Sequence, residues 1–130
     1  MSTLSIEDKI EIQELYARYN HTIDFGRATE WAQTFTPGGT IETAIGNHTG
    51  TEALTAFAAN LFKDYGPFRH WTNSLVVEGG GDRATGFCYL VAWNFVSGEP
   101  PVAGHHSHYE DDLEKTPEGW RFSIRRVIPD

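Results

Sequence analysis

The stretch "RHWTNSLVVEGGGDRATGFCYLVAWNFV", residues 69–96, predicts two β-strands joined by a turn. Its two halves are rich in β-branched and aromatic residues, which favour strands, whereas the central "EGGGD" contains residues typical of turns. The segments "HHSHYEDDLEK" (105–115) and "WRFSIRRVI" (120–128) have the same character, and breaks containing glycine and proline precede them. We therefore expect the C-terminal half to consist of consecutive strands connected as hairpins.

The N-terminal half has the patterns of helices instead. Residues 5–24 are expected to form the first helix, with Ser5 as its cap and Asp8 completing a capping box. Apolar residues recur along this segment at near-helical spacing, namely Ile6, Ile10, Leu15, Tyr19 and Ile23. This spacing indicates a helix face that packs against a core.

Shorter elements are expected between the first helix and the strand-rich half. A second helix is predicted over residues 28–34 and a third over 52–65, with Thr51 as the cap of the third. A strand is predicted over residues 40–46. The turns that flank this strand are assigned to "TPGGT" (36–40) and "NHTG" (47–50).

Helices followed by hairpin-linked strands indicate an α+β fold, here in a single domain spanning residues 1–130. The helices are expected to pack on one face of an antiparallel sheet. If the sheet curls around them, it forms a cone-shaped barrel with one open end, where a deep pocket is a natural result. Aromatic residues make up 13% of the chain. Some of them could line such a pocket, although most are expected to fill the core.

The charge balance excludes two classes of partner. Ten Lys and Arg residues stand against eighteen Asp and Glu residues, for a formal net charge of −8. Binding to nucleic acids or anionic membranes requires clustered positive charge, so neither partner is expected. The single cysteine, Cys88, cannot form an intramolecular disulfide. Without an apolar signal core or an apolar run of about 20 residues, we expect a cytoplasmic protein.

Two titratable residues stand out as a candidate acid–base pair. Asp24 lies at the C-terminus of the first predicted helix, where the helix dipole disfavours a carboxylate, so a compensating partner or a task is expected. His70 opens a predicted strand. A carboxylate that contacts an imidazole fixes its tautomer and stabilises the imidazolium formed when the ring takes a proton. The alternatives are a solvated aspartate near a turn and a hydrogen-bonded structural histidine.

The last strand carries two adjacent arginines, Arg125 and Arg126, which must point to opposite faces. An inward arginine could hold an oxyanion or a leaving group, whereas the alternative is a surface salt bridge. The sequence has no glycine-rich nucleotide motif, nucleophile elbow or zinc-binding motif. We therefore expect either cofactor-free chemistry or simple binding.

The stretch "GHHSHYEDD" (104–112) looks at first like a metal site, but strand alternation argues against it. His105 and Tyr109 are expected on one face, with His106 and His108 on the other. His106 and His108 could chelate an ion only with ligands from elsewhere in the chain. We therefore predict no metal and expect His105 and Tyr109 to form one wall of the active site.

The order and spacing of these segments resemble the SnoaL-like branch of the nuclear-transport-factor-2-like superfamily. The resemblance rests on four stretches, "IEDKIEIQELYARYNHTIDFG" (6–26), "GTEALTAF" (50–57), "RHWTNSLVVE" (69–78) and "YEDDLEKTPEGWRFSIRR" (109–126). Scytalone dehydratase, lindane dehydrochlorinase and bile-acid 7α-dehydratase are the members that the chain resembles most. In these enzymes a histidine paired with an aspartate abstracts a proton, and water or chloride is eliminated without a metal or cofactor.

The resemblance implies a set of site residues. The positions that match catalytic residues of these enzymes are Tyr19, Asp24, His70 and Arg125. The positions that match pocket walls or substrate contacts are Val91, Trp93, Asn94, His105 and Tyr109. Asn94 replaces the second catalytic histidine of scytalone dehydratase, and since an amide cannot shuttle a proton, the scytalone reaction itself is not expected.

The resulting prediction is a dehydratase-like lyase or isomerase that acts on a small, mostly apolar cyclic substrate. Related cones include aldol-type polyketide cyclases and ligand-binding modules without turnover, and both remain alternatives because fold does not determine function. A homodimer or homotrimer is expected, since self-association would cover an exposed sheet face.

Overall fold

Three helices and a six-stranded sheet form residues 3–130, the part of the chain that a computed structural model describes. The helices are α1 (Ile6–Asp24), α2 (Ala28–Ala32) and α3 (Thr51–Tyr65). The strands are β1 (Phe35–Thr43), β2 (Gly46–Thr49), β3 (Phe68–Gly80), β4 (Arg83–Asn94), β5 (Val102–Thr116) and β6 (Gly119–Pro129). The predicted α+β class is confirmed, and the sheet is curved.

The sheet is mostly antiparallel, as predicted, but one of its strand pairs is parallel. Its strand order is β2-β1-β6-β5-β4-β3, and β1 runs parallel to β6. The hairpins β3–β4, β4–β5 and β5–β6 are antiparallel, as expected from the turns between them. The parallel pair joins the first and last long strands, which no local turn connects, and therefore had no signal in the hairpin pattern. As a result, β3 lies at a free edge of the sheet.

Both predicted turns around the first strand are instead parts of strands. "TPGGT" lies within β1, where a shift of register between Phe35 and Thr40 accommodates it. "NHTG" overlaps β2, which pairs with β1 and contributes a hydrogen bond of 2.8 Å between the hydroxyls of Thr40 and Thr49. Thr51 begins α3 rather than capping it, because Gly50 occupies the cap position with a φ of 90°. The turn of the β1–β2 hairpin lies instead at Ala44 and Ile45, inside the segment 40–46 that was predicted as a strand.

The buried face of α1 differs in part from the predicted stripe. Leu15, Tyr19 and Ile23 are buried as expected, but Ile6 and Ile10 are 75% and 53% exposed. Ile12 and Tyr16 complete the buried face instead. The core lies between this face, the other helices and the concave side of the sheet, and its largest fully buried aromatic side chains include Trp31, Trp120 and Phe122. Within residues 3–130, no helix has the length and apolar character needed to cross a membrane.

The predicted capping box is only half formed, because Asp8 has other partners. Ser5 accepts the backbone N–H of Asp8 at 3.0 Å. The carboxylate of Asp8 accepts from Trp120 Nε1 and from Lys115 Nζ, both at 2.9 Å, and so connects α1 to β5 and β6. The hydrogen bond from Trp120, and secondly that from Lys115, lower the pKa of Asp8 from 3.8 to about 2.

This shift predicts an acid-sensitive contribution of Asp8 to stability. Because the pKa of the folded state lies below the unfolded value, Asp8 stabilises the fold above about pH 4 and loses this effect as the pH falls towards 2. Asp8→Asn should therefore flatten the decrease in the free energy of unfolding between pH 4 and pH 2, measured by urea denaturation. Asp82→Asn, at a carboxylate that is 76% exposed, is the control. Equal pH slopes for Asp8→Asn and the wild type would contradict the assignment.

Candidate functional site

Asp24 and His70 are in direct contact, although 46 residues separate them in the chain. Asp24 is the last residue of α1, and His70 lies near the start of β3. Imidazole Nδ1 is 2.6 Å from Asp24 Oδ1, and the backbone N–H of His70 donates to both carboxylate oxygens at 3.2 and 3.0 Å. An ionised carboxylate only accepts hydrogen bonds, so Nδ1 carries the proton and Nε2 is the proton acceptor.

The Asp24–His70 contact is buried, which distinguishes it from a mobile ion pair at the surface. Asp24 is 6% exposed, and the His70 side chain is 9% exposed. The Asp24 carboxylate lies at the C-terminal end of α1, where the helix dipole disfavours a negative charge. The hydrogen bonds from the backbone N–H of His70, on the edge strand β3, offset this unfavourable interaction. The edge of the Phe68 ring packs against His70, with a centroid separation of 4.9 Å. The imidazole is therefore held with one defined tautomer and orientation, as a general base requires.

His70 lies between two cavities. The inner cavity, about 350 Å³ in volume, is enclosed by α1, α3 and the concave face of the sheet. The outer cavity, about 780 Å³, follows the free edge of β3 and is bordered by exposed side chains such as Phe25 (60%) and Trp71 (62%). The inner cavity is the better candidate for the substrate, since binding sites are concave, mostly apolar and enclosed.

The inner cavity has a mostly apolar wall with a few polar groups. Tyr19, Tyr109, His105 and Asn94, all predicted as site residues, line it together with His70. Its apolar lining includes Ile41, Phe57, Leu61, Phe68, Leu90 and Ala92. Burial raises the pKa of both Tyr19 and Tyr109, in spite of the nearby Arg125 cation, so both hydroxyls remain protonated and can donate hydrogen bonds.

The side-chain amide of Asn94 is hydrogen-bonded to the backbone. Its Nδ2 donates to Tyr65 O at 2.8 Å and to Pro67 O at 3.3 Å, which anchors the loop between α3 and β3. A Cβ on Gly104 of β5 would lie 1.9 Å from Asn94 Oδ1, so only glycine allows this close approach. Asn94 is thus placed to shape the cavity mouth rather than to transfer a proton.

Val91 and Trp93 do not join the other predicted wall residues. On β4, Leu90 and Ala92 line the inner cavity, whereas Val91 and Trp93 alternate to the opposite face and line the outer cavity. There the Trp93 ring packs against Trp71, with a centroid separation of 5.5 Å.

Arg125 is fully buried and does not line either cavity. It binds Asp111 through two hydrogen bonds, Nε to Oδ1 at 2.9 Å and Nη2 to Oδ2 at 2.7 Å. Its guanidinium also lies 3.7 Å from the centre of the Tyr109 ring and 4.3 Å from that of Tyr19. Arg125 is therefore a cation directly behind two tyrosines of the cavity wall. Arg126 points to the other face, as predicted, and pairs with Asp112 at 3.0 Å.

Asp111 is a residue of this site that the sequence did not single out as functional. Besides Arg125, it accepts a hydrogen bond from the Tyr16 hydroxyl of α1. A Cβ on Gly86 of β4 would lie 2.0 Å from that hydroxyl, so glycine is required for Tyr16 to reach Asp111. The available signal was strand alternation, which places Asp111 on the same face of β5 as Tyr109.

The remaining histidines of the 104–112 stretch lie outside the cavities. His108 contacts Asp130 at 2.9 Å and Glu110 at 3.2 Å, and His106 approaches Asp130 at 4.0 Å. In residues 3–130, no group of three or more histidine, cysteine or carboxylate side chains has an arrangement that could hold a metal ion. Cys88 is buried, and burial raises the pKa of its thiol to about 12, so it is not a nucleophile at neutral pH.

Proteins similar to this chain have been found by sequence and by structure. An uncharacterized protein of Mycobacterium tuberculosis is 29% identical over 132 residues, which cover 98% of this chain and 88% of that protein. Among solved structures, a variant of another M. tuberculosis protein, of unknown function, has 31% sequence identity to this chain and a TM-score of 0.86. The match covers 93% of this chain and 70% of that one. A nuclear-transport-factor-2-like protein with a cystatin-like fold from Novosphingobium aromaticivorans is 28% identical with a TM-score of 0.84, over 95% and 82% of the two chains.

The chain also matches the model of a protein family. The model described as the SnoaL-like domain matches residues 4–126, nearly the whole chain. The chain therefore belongs to the SnoaL-like domain family and has its nuclear-transport-factor-2-like, cystatin-like fold.

Proposed function

We propose that this protein is a cofactor-independent lyase or isomerase of the dehydratase type, which begins its reaction by abstracting a proton from carbon. The observation that carries the proposal is the buried Asp24–His70 contact at the wall of an apolar cavity. The SnoaL-like family includes dehydratases and cyclases, so this chemistry is compatible with the family.

His70 Nε2 takes the proton from a substrate carbon made acidic by a neighbouring carbonyl group. Asp24 holds Nδ1–H and stabilises the imidazolium that results. The hydroxyls of Tyr19 and Tyr109 are within hydrogen-bonding reach of each other, so one of the two donates to the oxygen that leaves in a dehydration. Arg125, whose charge is paired with Asp111, packs against both rings from behind and holds them in place.

The cavity favours a small, mostly apolar cyclic substrate. Ligand cavities in proteins have volumes of roughly 300–1,000 Å³, so a volume of about 350 Å³ is at the small end. The lining residues are mainly aliphatic and aromatic, with polar groups at a few points. One or two fused rings that carry a carbonyl and a hydroxyl group match this arrangement.

The proposal is tested by hydrogen–deuterium exchange at the α-carbon of 2-tetralone, a two-ring ketone, followed by proton NMR in D₂O. We expect the wild-type protein to accelerate exchange above the buffer rate, because exchange requires only the first proton abstraction. A cyclic β-hydroxy ketone and a linear polyketide analogue then separate dehydration from aldol cyclisation, which share this step. Binding of 2-tetralone without any exchange would refute the proposal and favour a ligand-binding module.

Self-association remains a prediction. The sheet face opposite the helices exposes several large apolar side chains, among them Trp71 (62%), Val76 (56%), Tyr89 (53%) and Phe87 (40%). A homodimer or homotrimer that buries this face would remove them from water.

A further inference from the structure

Two histidines face the inner cavity from alternate strands of the sheet. Across the register, His70 of β3 pairs with Ala92 of β4, and Ala92 pairs with His105 of β5. The three side chains share one face of the sheet, and all three line the inner cavity. Two strand spacings separate the Cα atoms of the histidines by roughly 10 Å. Between the two imidazoles, Ala92 offers only a methyl group, which leaves room for a flat ring.

The two histidines differ in their partners. His70 is bound to Asp24, whereas the His105 ring has no hydrogen bond to another residue in the range 3–130. The charged or titratable groups that influence or face His105 are His70 from β3, Tyr19 from α1, Tyr65 from α3, His106 and Tyr109 from β5, and Asp130 at the chain end. His105 is exposed to solvent on one side. Partial desolvation by the cavity wall, and then the proximity of His106 and His70, lower the pKa of His105 below its ordinary value, against the opposing effect of Asp130. A neutral imidazole at this position can donate one N–H to a substrate.

We propose that His105 is a second catalytic residue, which donates a hydrogen bond to the substrate carbonyl oxygen while His70 removes the α-proton. This inference rests on the proposed function. The carbon–hydrogen bond breaks, its proton moves to His70 Nε2, and its electron pair forms the enolate, whose negative oxygen accepts from His105 N–H. The α-carbon and the carbonyl oxygen are two bonds apart, so a base and a donor on opposite sides of Ala92 can reach both. A neutral donor also avoids a second positive charge beside the His70 imidazolium.

The first test is the exchange of 2-tetralone by variants at position 105. His105→Phe keeps an aromatic ring but removes the donor, and it should lower kcat by about 10²–10³-fold, the usual effect of losing one oxyanion donor, with a much smaller change in KM. His105→Gln restores an N–H donor and should recover most of this loss. His108→Gln is the matched control, since it makes the same substitution on the same strand at a histidine of the opposite sheet face. Wild-type exchange by His105→Phe would overturn the inference.

The pH dependence supplies a readout that a purely structural role would not change. Because the pKa of His105 is lowered, its ring is neutral at neutral pH and becomes a cation only as the pH falls below its ordinary value of 6.5. The His105 cation still donates an N–H, but it places a second positive charge beside the imidazolium that forms on His70 and so opposes the proton transfer. Exchange should therefore fall further on the acid side, and His105→Gln should remove this part of the profile because glutamine does not titrate. An identical acid limb in the wild type and in His105→Gln would contradict a role for the neutral ring.

A binding experiment separates this inference from the proposed function. 2-Naphthol mimics a planar enol, and naphthalene is its counterpart without oxygen. We expect the wild type to prefer 2-naphthol, and His105→Phe to lose this preference while it still binds naphthalene. Equal affinities of the wild type for the two probes would refute the contact with His105, whether or not 2-tetralone exchanges. If His105→Phe exchanges normally while His70→Ala does not, only the role of His105 fails.

Discussion

Replacing His70 by alanine is expected to lower the rate of α-proton exchange by about 10²–10⁴-fold, the typical contribution of a positioned general base. Imidazole Nε2 is the only ring nitrogen not engaged by Asp24, so its removal leaves no equivalent acceptor at this point of the cavity wall. The measurement is exchange of 2-tetralone under conditions where the variant is folded. Folding should persist, because the backbone N–H of residue 70 still donates to the Asp24 carboxylate.

The control for this result is His108→Gln, which removes an imidazole bound to Asp130 on the opposite face of the sheet. It should leave exchange unchanged. Asp24→Asn should give an intermediate loss, because asparagine keeps the backbone contact but cannot stabilise the imidazolium as a carboxylate does. If His70→Ala exchanges at the wild-type rate, His70 is not the base, and the mechanism fails.

The second large effect is expected at Asp111. Asp111→Ala should lower the free energy of unfolding by about 3–5 kcal/mol, because it leaves the guanidinium of Arg125 buried without its anion. Both side chains of this pair are 0% exposed, and the Tyr16 hydroxyl also loses its acceptor. Urea denaturation monitored by circular dichroism measures the change.

Two further variants distinguish a buried charge from a simple loss of packing. The double variant Asp111→Leu/Arg125→Met removes both charges and should be markedly more stable than Asp111→Ala. Asp112→Ala breaks the more exposed pair with Arg126, and should cost about 0–1 kcal/mol. A similar loss for Asp111→Ala and Asp112→Ala would show that the buried pair does not carry the predicted energy.

Local patterns were sufficient to predict most elements of the fold. Apolar spacing identified α1 and α3, and the alternation of residues in β5 correctly placed Ser107, Tyr109 and Asp111 on the buried face. In β3 the regular alternation is interrupted after Asn73, where the register shifts and Ser74 adopts a φ of 58°. A bulge of this kind depends on the partner strand and leaves no clear pattern in the sequence.

The candidate site was predicted in part. Asp24 and His70 were named as a candidate pair from their positions and residue types, and then from the resemblance, and the structure brings them into contact. Alternation predicted that Arg125 and Arg126 point to opposite faces, and the resemblance named Arg125 as the site residue. Its partner Asp111 was not predicted, because the register between β5 and β6 decides which side chains meet. Val91 and Trp93 were predicted to line the same pocket as Tyr109. In the structure, the alternation of side chains along β4 places them on the opposite face of the sheet.

The sequence by itself determined the α+β class, the order of the helices and the long strands, and the residue types available for acid–base chemistry. These follow from local periodicity, turn residues and resemblance. Only the tertiary structure decided that β1 runs beside β6, that Arg125 is buried behind the cavity wall, and that His70 and His105 lie across Ala92. Such relations join residues that are far apart in the chain, and they depend on strand pairing and packing that no local pattern encodes.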